Sequence, residues 1–172
     1  MESRSIKLYV FMIHQDDPKK CTASKLVRFK LAQPIKRMRQ IPPSAVVLNP
    51  YSKQLLTPLD RDLVSRFGLV AVDCSWERAD AVFASRMRGV HRRLPSLLPG
   101  NPVSYGRLSR LSSLEAFAAA LYIVSCSNQA DSLLSLYKWG STFRTLNAEP
   151  LEGYRRSGSE EEALKVESEF FA

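Results

Sequence analysis

The residue best placed to do chemistry in this sequence is Asp73, which directly follows the apolar run Leu69-Val70-Ala71-Val72. Such a run reads as a strand covered on both faces, so its last residue stands at the rim of a core. Ligands of open α/β sheets bind beyond the carboxyl ends of the strands. A carboxylate there can hydrogen-bond a ribose, attract a sulfonium cation or accept a proton. The same position suits the N-cap of a helix starting at Trp76, and the two roles are compatible. Trp76 and Ala79 lie three apart, so on a helix they share one face and line either a pocket or the core. Leu48-Asn49-Pro50 marks a second strand end of the same kind.

Other chemistries find little support. The sequence has no G-x-G-x-x-G and no G-x-x-x-x-G-K-[ST], so dinucleotide and P-loop nucleotide binding are not indicated. No nucleophile elbow accompanies the serines, and neither His14 nor His91 has a recognisable partner. Cys21, Cys74 and Cys126 are odd in number and form no C-x-x-C pair, which argues against structural zinc and against a disulfide framework.

The elements that must position Asp73 follow from patterning. Strands are expected at Ser5 to Ile13, Ala45 to Leu48 and Leu69 to Asp73, with a short basic helix from Ser24 to Ala32. Thr57-Pro58-Leu59-Asp60 starts a helix, with Thr57 as N-cap, Pro58 in the first turn and an acid near the positive end of the dipole; it ends near Phe67-Gly68. A further helix is expected from Trp76 to Arg88. Strands joined by helices indicate a parallel α/β sheet. The second half is helical: Ser112-x-x-Glu115 is a capping box opening a helix to about Val124, another runs from Ala130 to Phe143, and the acidic 159–171 segment forms a terminal helix. The fold class is α/β followed by an all-helical half.

At 172 residues the chain can bury a core without staples, and 45% apolar with 24% charged residues is ordinary for a soluble protein. No apolar run reaches the ~18 residues of a membrane span, and the N-terminus shows no signal-peptide plan. A cytoplasmic protein without membrane attachment is expected. The net charge is +8, yet the tail from Ser159 holds five Glu against Lys165, so residues 1–158 carry +12. A basic body of this kind fits an anionic partner, RNA foremost, or simply a soluble basic surface.

The segments Asp16-Asp17-Pro18-Lys19-Lys20-Cys21-Thr22, Asp73-Cys74-Ser75-Trp76, His91-Arg92-Arg93-Leu94-Pro95, Asn101-Pro102-Val103-Ser104-Tyr105-Gly106 and Leu111-Ser112-Ser113-Leu114-Glu115-Ala116 add a sharper indication. Each is weak alone. Together and in this order they resemble the archaeal-type family of small-subunit rRNA aminocarboxypropyltransferases, from about residue 5 through Tyr154.

The resemblance implies an α/β S-adenosylmethionine-binding domain over residues 1–94 and an all-helical domain over 95–172 that completes the site. It also implies a SPOUT-like deep trefoil knot, which patterning could never disclose. The cofactor would donate its aminocarboxypropyl arm to a ring nitrogen (N3) of a uridine or pseudouridine in small-subunit rRNA, naked or in a pre-ribosomal particle, leaving methylthioadenosine. No metal is implied, and a monomer is expected. Thr22 and Ser113 would hold the amino-acid end of the cofactor, the Val72 backbone the ribose, and the Leu94 and Ser109 backbones the adenine. Trp76 and Ala79 would bury the methyl, and Asp73 would be the catalytic carboxylate. The family usually has tyrosine at Ser109, threonine at Ser113 and asparagine at Ser104; the first contact is a backbone one, and the second keeps its hydroxyl. Lys20, Lys25 and Arg93, with Lys19 and Arg92 beside them, would contact RNA phosphates or form a solvated basic rim. The competing readings are an RNA methyltransferase of the same broad fold and a noncatalytic RNA-binding assembly factor.

Overall fold

The computed structural model describes residues 4–13 and 21–172; Lys19 and Lys20 lie outside the described residues. Among the described residues five strands form one parallel sheet: β1 (Leu8–Met12), β2 (Gln33–Ile35), β3 (Val46–Leu48), β4 (Leu69–Asp73) and β5 (Val90–Arg92), in the order β2-β1-β4-β3-β5. Helices α1 (Thr22–Arg28), α2 (Arg61–Phe67) and α3 (Ala79–Ala84) lie between strands. Five more follow β5: α4 (Ser113–Ile123), α5 (Ser127–Leu134), α6 (Gly140–Leu146), α7 (Ala148–Arg156) and α8 (Glu160–Phe171).

The strand sequences explain the layering. Successive side chains point to opposite faces, and in β3 and β4 both sets are apolar. Leu8, Val10, Val46, Leu48, Leu69 and Ala71 pack into the larger core with α1, α2 and α4. Phe11, Ile35, Val47 and Val70 pack with Ile41 and Met87 into a smaller one, flanked by Val82 and Phe83 of α3. The sheet is therefore buried on both faces, as its unbroken apolar runs require.

Helix α4 ties the halves together. Nine of its eleven residues are buried, including Leu114, Phe117 and Leu121, so it runs through the core rather than over it. It packs on α1, α5, α7 and β4 at once. The helical half thus shares its main core with the sheet.

Several boundaries differ from the patterning. The 76–88 helix is shorter: residues 76–78 form a turn, closed by Arg78 N–H to Ser75 O and Ala79 N–H to Trp76 O, and α3 ends at Ala84. The chain must then descend to β5 through Gly89, at φ 105, where a Cβ would sit 2.6 Å from Val47 Cγ2. The helix expected over 130–143 is split into α5 and α6, because the reversal presses Gly140 onto the Leu134 carbonyl, where a Cβ would lie only 1.9 Å away. Short edge strands β2 and β5 were not evident from pattern. Pro34 is tolerated in β2 because an edge strand need not donate on its outer side. The Ser112 and Glu115 capping box and the Thr57 cap form as expected. Among the described residues, no helix is long and apolar enough to cross a membrane.

Candidate functional site

At the carboxyl ends of β3 and β4 the structure opens a cavity of about 450 Å³, within the size range of small-molecule sites. β4 brings Val72 and Asp73 to its floor, and the turn after β4 brings Trp76. Helix α3 adds Ala79 and Phe83 as an apolar wall, and the chain leaving β5 adds Leu94 and Pro95. Thr22 and Ser113, the first residues of α1 and α4, face them, and Ser109 completes the rim.

Each wall is fixed by a specific contact. The Thr22 hydroxyl accepts from Leu114 N–H at 3.3 Å, locking the start of α1 to the first turn of α4. The Cys21 thiol donates to Asp73 Oδ2 at 3.2 Å, joining that same helix start to the end of β4. Glu115 is fully buried in α4, and its carboxylate accepts from Ser112 N–H and hydroxyl and from Gly100 N–H. Burial raises its pKa above the usual carboxylate value, while the hydrogen bonds from Ser112 and Gly100 oppose that rise. The reward is positional: the loop bearing Asn101 to Ser109 is anchored to the α4 N-terminus. Ser109 adopts φ 61, in the left-handed region, and its N–H donates to Leu97 O at 2.8 Å.

The C-terminal helices hold the opposite wall. Tyr154 donates its hydroxyl to Ser96 O at 2.8 Å, and buried Asn147 bonds both the N–H and the carbonyl of Leu98. Glu167 accepts from Ser96 N–H at 2.7 Å and pairs with the Arg93 guanidinium at 3.0 Å. Burial alone would raise the Glu167 pKa, but the hydrogen bonds from Arg93 and Ser96 N–H hold it below the usual value. Patterning missed these three residues, since nothing in a helical periodicity says which strand exit a side chain will meet.

The expected site residues fall as follows. Thr22, Val72, Asp73, Trp76, Ala79, Leu94, Ser109 and Ser113 all line the one cavity, and so does Arg93. Asp73 does not cap a helix, because α3 begins at Ala79 with Arg78 at its N-cap. Lys25 lies elsewhere: its ammonium donates to Leu136 O at 2.9 Å and sits 4.1 Å above the Tyr137 ring. Arg92 pairs with Asp60 at 3.2 Å. Cys21, Asn49 and Phe83 also line the cavity. Asn49 Nδ2 lies 3.1 Å from His91 Nδ1, whose other ring nitrogen lies 2.9 Å from Met87 O. A carbonyl can only accept, so His91 carries its proton on Nε2 and accepts from Asn49. That pair holds the 49–50 turn against β5.

Chemically, the cavity combines an apolar wall, two hydroxyls at helix starts and one carboxylate at a strand end. The walls suit a ligand with an apolar part and several polar groups. Among the described residues no group of three His, Cys, Asp or Glu side chains is gathered so as to hold a metal ion.

Residues 46–171 match the family described as "Ribosome biogenesis protein, C-terminal". Residues 6–40 match one described as "Possible Fer4-like domain in RNase L inhibitor, RLI", but that stretch holds Cys21 as its sole cysteine, where an iron–sulfur cluster takes four thiolates. The chain is similar to the 16S rRNA aminocarboxypropyltransferase of Methanosarcina mazei, at 42% identity over 98% of this chain and 97% of that protein. It is similar to the enzyme of the same name from Sulfurisphaera tokodaii, at 41% identity over 95% of each chain. Among solved structures it is similar to the SAM-dependent rRNA:acp-transferase Tsr3 from Vulcanisaeta distributa, with a TM-score of 0.87 and 40% identity over 94% of this chain and 88% of that one.

Proposed function

The chain belongs to the family of the 16S rRNA aminocarboxypropyltransferases, and from that premise we propose that it moves the 3-amino-3-carboxypropyl group of S-adenosylmethionine to N3 of a uridine or pseudouridine in small-subunit rRNA. It is a transferase of rRNA modification and ribosome biogenesis. The observation that carries this reading is convergence: eight residues from separate stretches of sequence, Thr22 through Ser113, line one cavity of fitting size.

When bound, S-adenosylmethionine supplies a sulfonium that activates the aminocarboxypropyl carbon, with methylthioadenosine as the leaving group. Thr22 and Ser113 hold the amino-acid end with their hydroxyls. The Val72 backbone binds the ribose, and the Leu94 and Ser109 backbones read the adenine. Trp76 and Ala79 would enclose the methyl and would leave the aminocarboxypropyl carbon to the acceptor. Choice of product is thus a matter of orientation. Asp73, on the cavity floor, accepts the imide proton of the uracil as nitrogen attacks.

Residues 1–94 form the cofactor-binding part and 95–172 complete it, with the chain threaded as a deep trefoil knot. The SPOUT-like resemblance supports the knot. The protein acts as a cytoplasmic monomer on rRNA or a pre-ribosomal particle; of the three basic residues expected at phosphates, Lys20 keeps that role, since Lys25 is engaged by Leu136 O and the Tyr137 ring and Arg93 by Glu167. Product analysis tests the reaction. Methylthioadenosine and a modified uridine in small-subunit rRNA are expected; S-adenosylhomocysteine would instead mark a methyltransferase.

A further inference from the structure

The loop over the cavity mouth keeps large apolar side chains in solvent while being firmly built. Val103 is 82% exposed, Tyr105 66% and Leu108 45%. Yet the loop is held at both ends and within. The Glu115 carboxylate grips Gly100 N–H, Asn101 Oδ1 accepts from Val103 N–H, and backbone bonds join Ser104 to Asn101, Arg107 to Ser104 and Ser109 to Leu97. A loop so fixed does not bury these groups by collapse, so their exposure points to a partner.

Charge identifies the partner. From Ala81 through Leu114 the chain carries no acidic residue and six arginines. Arg92 and Arg93 are paired with Asp60 and Glu167, but Arg107 and Arg110 form no ion pair among the described residues. Aromatic and apolar groups interleaved with arginine suit single-stranded RNA, whose bases stack on side chains while its phosphates meet cations. The same loop places Val103 and Ser104 on the cavity wall, so RNA bound there lies next to the reacting base.

We infer that the 102–110 loop is the RNA-reading platform of this enzyme: Tyr105 and Val103 stack a base splayed out beside the acceptor, and Arg107 and Arg110 hold the adjoining phosphates. This rests on the proposed action on rRNA and adds the surface that selects an unpaired segment.

The test uses the full chain, a single-stranded oligouridine carrying one 2-aminopurine, and a fully paired RNA duplex of equal length. Tyr105→Ala should weaken single-strand binding roughly tenfold or more, with unchanged S-adenosylmethionine affinity and an unchanged salt slope; Tyr105→Phe should restore binding. Arg107→Gln with Arg110→Gln should flatten the slope of log affinity against log salt by roughly 0.7 per contact. If wild type binds and modifies RNA while Tyr105→Ala does so equally well, the platform is wrong and the function stands. If Tyr105→Ala instead loses only a protein of the pre-ribosomal particle, the face docks protein and the inference falls. If wild type binds S-adenosylmethionine but no RNA, platform and rRNA reading fall together.

Discussion

The Cys21 thiol donates to the Asp73 carboxylate at 3.2 Å, so the start of α1 and the end of β4 meet in one polar contact on the cavity wall. Burial raises the pKa of that thiol, the Ser24 backbone hydrogen bond opposes the rise, and the Asp73 charge adds to it. A raised value keeps the thiol protonated at neutral pH, and the thiolate is the reactive form. Cys21 should therefore react with iodoacetamide more slowly than free cysteine up to pH 8, as read by peptide mass mapping. A rate at pH 7 equal to that of free cysteine would contradict this contact.

Asp73→Asn keeps size and part of the hydrogen bonding but cannot readily take a proton. Transfer should fall by ~100-fold or more, the loss typical of a positioned base, with cofactor affinity less affected. Parallel loss of transfer and binding would make Asp73 a cofactor-binding residue instead.

Trp76 stands half-buried in a turn on the cavity wall, outside both hydrophobic cores. Trp76→Ala should weaken S-adenosylmethionine binding by roughly tenfold or more while the protein stays folded. Phe117→Ala, in the middle of α4, should by contrast cost about 3–5 kcal/mol of stability. Isothermal titration and thermal melts separate the two. Wild-type affinity in folded Trp76→Ala would remove Trp76 from the site.

The strand core was legible because β1, β3 and β4 are apolar on both faces, and the α4 start because a capping box is a local signal. Asp73 could be placed at a strand end by the same logic. Spacing alone could not choose between cap and site; the cap reading fails only because residues 76–78 form a turn and α3 starts at Ala79 with Arg78 at its N-cap. The sequence pattern runs one helix from Ala130 to Phe143, and the break into α5 and α6 becomes visible only in the approach of Gly140 to the Leu134 carbonyl. The roles of Asn147, Tyr154 and Glu167 rest on contacts about 50 to 70 residues apart in sequence, beyond any periodicity. Lys25 reads from the sequence as an RNA-phosphate contact or a solvated rim charge, yet its ammonium is spent on Leu136 O and the Tyr137 ring. Lys25→Gln should accordingly change RNA affinity less than Arg107→Gln.

Glu167 connects the acidic terminal helix to the cavity, and its effect has a definite pH sign. Its pKa is lowered in the fold, so the folded chain binds that proton less tightly than the unfolded one. The stabilisation is present above the usual value of 4.5 and is lost as pH falls through the lower folded value. Wild type should melt a few degrees above Glu167→Gln at pH 7, and the gap should narrow as pH falls below 4.5 and through the lowered folded value. A constant gap from pH 3 to 7 would mean the carboxylate charge is not what holds Arg93 and Ser96.

The proposed reaction requires that the aminocarboxypropyl carbon, and not the methyl, face the acceptor in this cavity. Two samples of S-adenosylmethionine, one labelled in the carboxyl carbon and one in the methyl, should be incubated with the protein and small-subunit rRNA or its precursor particle. Carboxyl label should enter the RNA and methyl label should leave in methylthioadenosine. Methyl label in the RNA without carboxyl label would contradict the account.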